Sequence, residues 1–127
     1  MAIVRDLGAA SMAAWPMIDL AHVTEEPRSA IEPFEFHSCA CGVASFKGRP
    51  PWERHDAGDE MIHVLSGWCR LTIRDAEGDT VREIRQGDLV VVPQGCWHNN
   101  DAPEGVTVLF MTPNEGNQHS WEDPWAV

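Results

Sequence analysis

The stretch Met61-Ile62-His63-Val64-Leu65-Ser66-Gly67-Trp68-Cys69-Arg70-Leu71-Thr72-Ile73-Arg74-Asp75 decides the fold. Over residues 68–75 polarity alternates: Cys69, Leu71 and Ile73 fall on one face and Arg70, Thr72 and Arg74 on the other, the period of a half-buried strand. Ser66-Gly67 reads as the turn of a hairpin that joins this strand to residues 61–65. Downstream, Ala76-Glu77-Gly78-Asp79 is the next turn, residues 80–84 the next strand, and Gln86-Gly87-Asp88 feeds Leu89-Val90-Val91-Val92, which Pro93-Gln94-Gly95 stops. Extended structure resumes over residues 96–100, Ala102-Pro103-Glu104-Gly105 turns, and residues 106–111 are apolar without a break, as in a strand buried on both sides. From Phe34 to Thr112 turn residues thus recur roughly every 8–12 positions, the spacing of a sandwich or small barrel. An all-β, antiparallel, closed architecture is expected.

A chain of 127 residues fits one domain. Its parts are expected to be an N-terminal arm over residues 1–33, a β-barrel over 34–113 and a C-terminal tail over 114–127. The arm is interrupted by Ala and Pro, carries one helix-compatible stretch at residues 9–14, and suits a segment that covers the barrel or a neighbouring subunit. The tail, Asn114-Glu115-Gly116-Asn117-Gln118 onward, is polar and is expected to be ordered only where Trp121 and Trp125 dock.

Charge narrows the partners. Nine Lys+Arg against twenty Asp+Glu leave a net charge of −11, which repels phosphate backbones and anionic bilayers, so neither nucleic acid nor a membrane surface is an expected partner. Lys47 is the single lysine, which disfavours Schiff-base chemistry. No run of about 18 apolar residues and no basic-then-apolar leader is visible, so the expected location is cytoplasmic. Cys39, Cys41, Cys69 and Cys96 form no CxxC pair and read as thiols. Cys39 and Cys41 share a strand face, where small buried core residues outweigh a redox or metal pair. Arg70, Arg74, Arg82 and Arg85 read as paired surface ions in preference to an anion site. Dinucleotide, P-loop, serine-hydrolase and HExxH motifs are all missing from the sequence.

Chemistry concentrates in Trp52-Glu53-Arg54-His55-Asp56-Ala57-Gly58-Asp59-Glu60, where an imidazole and several carboxylates precede a strand, and a second imidazole, His98, follows the Pro93-Gln94-Gly95 turn. Two neutral imidazoles and a carboxylate offered by facing strands can hold an octahedral divalent metal and leave one side open. Glu60, Ile62 and Val64 share a strand face, so the carboxylate points into the same interior as two aliphatics. An unpaired buried charge costs several kcal/mol, so Glu60 requires a cation. His63 falls on the opposite face and reads as a packing or interface residue.

These residues resemble the two motifs of the cupin superfamily. The first motif runs HxH, three or four residues, Glu, six residues, Gly; here Glu53-Arg54-His55 takes the HxH place, Glu60 follows after four residues and Gly67 after six more. The second runs Gly, five residues, Pro-x-Gly, two residues, His, three residues, Asn; Gly87, Pro93-Gln94-Gly95 and His98 match it. There are two departures: Glu53 replaces the first His, and Ala102 stands where the closing Asn would fall. The resemblance implies a cupin-type double-stranded β-helix, or jelly-roll barrel, that holds one divalent metal ion through His55, Glu60 and His98. Glu53 is a fourth oxygen ligand, a catalytic base or a plain surface residue. Two carboxylates favour hard ions such as Fe or Mn, with Ni and Zn still open. The competing reading is a metal-free cupin in which His55 is solvated and His98 is a hydrogen-bonded residue of the barrel mouth.

Substrate-facing positions are expected at Trp52, Ile62, Cys96 and Phe110. Cys96 is read as pocket wall in preference to sulfur ligand, and Trp52 and Trp97 as rim or core. His22, His37 and His119 have no motif context and read as surface or interface residues. By resemblance the first functional expectation is a dioxygenase-like oxidoreductase acting on a small oxygen-bearing organic acid or aromatic. The alternatives are a metal-dependent or metal-free isomerase or lyase, the latter with His55 or His98 as base, and a non-catalytic module for a small ligand. A homodimer formed by exchange of the N-terminal arm is expected as well.

Overall fold

The alternating segments become strands, and in the computed structural model, which describes residues 4–6, 16–18 and 34–124, these are joined without any helix among the described residues. Strands β1 (Val4–Asp6) and β2 (Pro16–Ile18) pair with each other antiparallel. The other eight are β3 (Phe34–Phe36), β4 (Cys39–Gly48), β5 (Trp52–His55), β6 (Glu60–Asp75), β7 (Gly78–Arg85), β8 (Leu89–Val92), β9 (Trp97–Pro113) and β10 (Asn117–Ser120). They form one antiparallel sheet in the order β10-β5-β9-β4-β3, with β6 pairing β7, β8 and β9. This sheet curls on itself, so the all-β, cupin-type architecture expected from the sequence is the one observed. The helix-compatible residues 9–14, His22 and Trp125 lie outside the described residues.

Two expected turns are bends instead. Ser66-Gly67 does not close a hairpin: β6 runs 16 residues straight through it. Likewise Ala102-Pro103-Glu104-Gly105 lies inside β9, which runs 17 residues. Strands this long exceed the usual range of about 3–10 residues and must bend to follow a closing sheet. Both breaker clusters face each other across the β6–β9 ladder, where the register shifts between Gly67 and Arg70. Each chain therefore kinks against the other, and neither reverses. The true hairpin turn is Asp75 to Gly78, between β6 and β7.

Gly67 has φ +76°, and a Cβ built on it would meet the Gly105 carbonyl oxygen at 2.4 Å. Its lack of a side chain is what allows the two bends to touch.

Inside the curl, Ile62, Val64, Cys69, Leu71, Ile84, Val92, Ala102, Val106 and Val108 make the core. Alternation placed Cys69 and Leu71 inward correctly, and both are about fully buried. Ala102, which departs from the family motif, is also buried in this core. An Asn there would need hydrogen-bond partners that an apolar environment does not offer. Cys41 is a buried thiol, as the core reading expects, whereas Cys39 is only half-buried. Arg74 corrects the surface reading: its side chain is nearly buried, stacked 4.4 Å from the Trp52 ring and paired with Asp79 at 2.6 Å and with Asp123. The tail is corrected too. Trp121 is 80% exposed, while the polar residues before it form β10 against β5.

Gly67→Ala should lower stability by more than Gly87→Ala does. Gly87 also has positive φ, +93°, but open space around it. Backbone strain alone is worth roughly 1–2 kcal/mol, so in denaturant unfolding the Gly87 variant should lose about that much and the Gly67 variant clearly more. Equal losses would mean that the close approach to Gly105 carries no weight.

Candidate metal centre

β5 is short because Pro50-Pro51 precede it and the Asp56 to Asp59 loop follows it, and it lies between β9 and β10. Its period of two puts Glu53 and His55 on one face. Glu53 stands directly opposite His98 of β9, so the register brings the second imidazole to the same spot. Glu60 opens β6 on the inward face, two residues before the buried Ile62. Three strands thus deliver four side chains to one point: a donor atom from each of Glu53, His55, Glu60 and His98 lies within 4.8 Å of the others.

Distances within the group are short. His98 Nε2 is 2.9 Å from Glu60 Oε1 and 3.5 Å from Glu53 Oε2, and His55 Nε2 is 3.5 Å and 3.7 Å from the same two oxygens. His98, Glu60 and His55 are buried, and Glu53 is part exposed. Burial opposes the charge on Glu60, but His55 and His98 beside it outweigh this and hold its carboxyl below the usual range. Burial likewise opposes a charged His98 ring, yet Glu53 and Glu60 outweigh it and the pKa is pushed up to about 9. His55 is raised also, against burial, by Glu60 and Asn117.

The group fits a metal on one further observation. Although carboxylate oxygens are near, the Nε2 atoms of both His55 and His98 are buried without a hydrogen-bond partner in acceptable geometry. Orphaned buried ring nitrogens are rare and call for an explanation. Two imidazole nitrogens and two carboxylates that converge on one centre are the donor set of an octahedral divalent cation such as Fe, Mn, Ni or Zn.

Beside the centre lies a cavity of about 420 Å³, within the range usual for small-molecule sites. Its walls are mostly apolar, with Ala44, Phe46, Ile62, Val108 and Phe110 leading to the carboxylates and imidazoles. Of the expected substrate-facing residues, Ile62 and Phe110 line it; Trp52 and Cys96 do not. Trp52 is engaged by Arg74 instead. Cys96 falls before β9 begins at Trp97, so strand alternation does not extend to it; its carbonyl lies 3.5 Å from His98 Nδ1. Trp97 packs under the Arg54 guanidinium at 4.8 Å. His63 is half-buried on the face opposite Glu60, as alternation implied, and His37 sits exposed in the β3–β4 turn.

His119 is the residue that the sequence reading missed. β10 aligns it with Glu53 and aligns Asn117 with His55, and both line the cavity. His119 Nε2 is 3.4 Å from Glu53 Oε1, and His55 Nδ1 is 2.8 Å from Asn117 Oδ1. The signal available was the alternation Asn117, His119 in the tail, which matches the period of Glu53 and His55.

The fold and the centre together define a small barrel protein with an apolar ligand cavity and a four-residue group that could hold a metal. The profile of the cupin domain matches residues 45–112, over half of the chain, and the chain belongs to the cupin family. Comparison with curated protein sequences finds no match. Among solved structures it is similar to a cupin-2 domain protein of Shewanella frigidimarina (20% identity, TM-score 0.62, covering 76% of this chain and 94% of that one). It is similar also to the hydroquinone 1,2-dioxygenase of Sphingomonas sp. TTNP3 (15% identity, TM-score 0.53, 61% of this chain and 60% of that one). A third is the oxalate decarboxylase of Lactobacillus farciminis (11% identity, TM-score 0.56, 69% of this chain and 33% of that one). At these identities the likeness is one of fold. No helix among the described residues is long and apolar enough to cross a membrane.

Protein purified without added metal or chelator should carry close to one equivalent of a divalent metal by elemental mass spectrometry. Glu60→Gln and His98→Ala should each lose most of it. Unchanged metal in Glu60→Gln would remove Glu60 from the donor set.

Proposed function

We propose that this cupin binds one divalent metal through His55, Glu60, His98 and Glu53 and acts as a dioxygenase-like oxidoreductase on a small oxygen-bearing organic molecule. The observation that carries the reading is the pair of buried, unpartnered Nε2 atoms converging with two carboxylates at the end of an apolar cavity. A metal at that point supplies Lewis acidity and, where it is iron or manganese, electron exchange with dioxygen.

The chain's own residues do the rest. Ile62, Phe46, Val108 and Phe110 exclude water and receive the apolar body of the substrate, so its oxygen atoms point toward the donor group. His55, Glu60 and His98, all buried, are held by three strands and keep their positions without reorganisation. Glu53 is the most exposed of the four donors, so the centre is reached from the cavity past its carboxylate. The fold shared with a hydroquinone dioxygenase makes phenolic and enolic compounds the first substrates to test. The fold shared with an oxalate decarboxylase supports a second reading, a lyase acting on a small organic acid.

With Fe(II)-loaded protein and a panel of catechol, hydroquinone and enolic acids, at least one compound should be consumed with equimolar oxygen uptake. His98→Ala should reduce that rate by at least about 100-fold, the scale of losing a group that supports the reacting centre. Substrate loss without oxygen uptake would favour the lyase. Binding with no turnover of any compound would leave a ligand-binding cupin.

A further inference from the structure

We infer that the C-terminal strand β10 is a positioning element for the metal centre: Asn117 fixes the ring of His55 and His119 fixes the carboxylate of Glu53. The inference rests on the reading of those two residues as metal donors.

The Asn117 amide is held in one orientation by its two neighbours. Its Nδ2 donates to the Pro113 carbonyl at 3.0 Å, which fixes which end of the amide is nitrogen. Its Oδ1 is therefore the atom that lies 2.8 Å from His55 Nδ1. An amide oxygen only accepts, so Nδ1 must carry the hydrogen and donate it. In the neutral ring the lone pair is then on Nε2, the buried atom that faces the donor group without a hydrogen-bond partner. Asn117 thus selects the tautomer that a metal needs, and it holds the ring plane as well. Ligand imidazoles depend on such a partner at the far nitrogen for orientation and basicity.

His119 acts on the other β5 donor. The two oxygens of Glu53 are divided: Oε2 lies 3.5 Å from His98 Nε2 and 3.7 Å from His55 Nε2, while Oε1 lies 3.4 Å from His119 Nε2. With Oε1 held outward, Oε2 is the oxygen offered to the centre. Because Asn117 and His119 are opposite His55 and Glu53 in the β10–β5 register, one strand pairing sets both contacts. Among the described residues, β10 has β5 as its one neighbour in the sheet. Its attachments beyond the ladder include the Asp56 N–H donating to the Gly116 carbonyl at 3.1 Å, the Arg54 to Gln118 bond at 2.9 Å, the Gln118 amide donating to the Asp56 carboxylate at 3.1 Å and the Arg74 to Asp123 pair. The strand could therefore be disturbed without loss of the barrel core, which lies on β6 to β9.

The test is Co(II) affinity, by competition with a chelating indicator, for the full chain and for Asn117→Leu, His119→Ala, His119→Gln and Gln118→Ala. Gln118 sits on the same strand but faces Arg54, so its variant reports on the strand as mere structure. Asn117→Leu should weaken Co(II) binding by about 10- to 100-fold, the usual effect of losing an outer partner of a ligand histidine. His119→Ala should weaken it less, His119→Gln should recover part of that loss by restoring an N–H donor, and Gln118→Ala should bind as the wild type does. Unchanged affinity in Asn117→Leu, or equal loss in Gln118→Ala, would overturn the inference.

Should the wild type take up no Co(II), the metal reading fails while the positioning claim is still decided by a second measurement. Nitrogen-15 shifts of the His55 ring, recorded at alkaline pH where it is neutral, should show hydrogen on Nδ1 in the wild type and a mixture of tautomers in Asn117→Leu. Hydrogen on Nε2 in the wild type would refute the role given to Asn117.

Discussion

Glu60 is a carboxylate with 4% exposure, on the same face as the core residues Ile62 and Val64, and its charge must be answered inside the barrel. Leaving a carboxylate unpaired there would cost several kcal/mol even after relaxation. The surrounding structure supplies the answer in two parts. His55 and His98 approach its Oε1 from two other strands at 3.5 Å and 2.9 Å, and their Nε2 atoms remain free of regular hydrogen bonds. A divalent cation at the common point balances the carboxylates and uses the ring lone pairs at once. Much of the local chain serves that convergence: the short β5 between two strands, the register that sets Glu53 opposite His98, and the loop that brings Glu60 back at the head of β6.

The frame that holds these residues is the β6–β9 ladder, which has to be both long and curved. The two strands pair on either side of a break, and the irregularities at Gly67 and at residues 102–105 supply the curvature there. The same two irregularities explain where the sequence misled. Ser66-Gly67 and Ala102-Pro103-Glu104-Gly105 carry the residues of reversing turns, and local composition does not distinguish a turn from a bend. What separates them is a partner strand with its own break at the same height, which is a non-local fact.

The site was legible to different degrees for physical reasons. Glu60 and His98 were readable because motif spacing and strand alternation agree on them, and Glu53 and His55 because a period of two puts both on one face. Ile62 and Phe110 followed from alternation inside strands that exist. Cys96 failed because it precedes its strand, and Trp52 failed because Arg74, a residue 22 positions on in sequence, takes its ring. Asn117 and His119 were passed over because they belong to a four-residue strand in a polar tail. Nothing in their composition marks an edge strand; its place is set by β5, the strand they join.

The measurement that bears most directly on the claim of one shared centre is X-ray absorption spectroscopy of protein loaded with a single equivalent of Co(II). The account predicts a first shell of nitrogen and oxygen only, with the multiple-scattering pattern of two imidazoles. A sulfur neighbour, or a wild-type spectrum with no imidazole scattering, would contradict it.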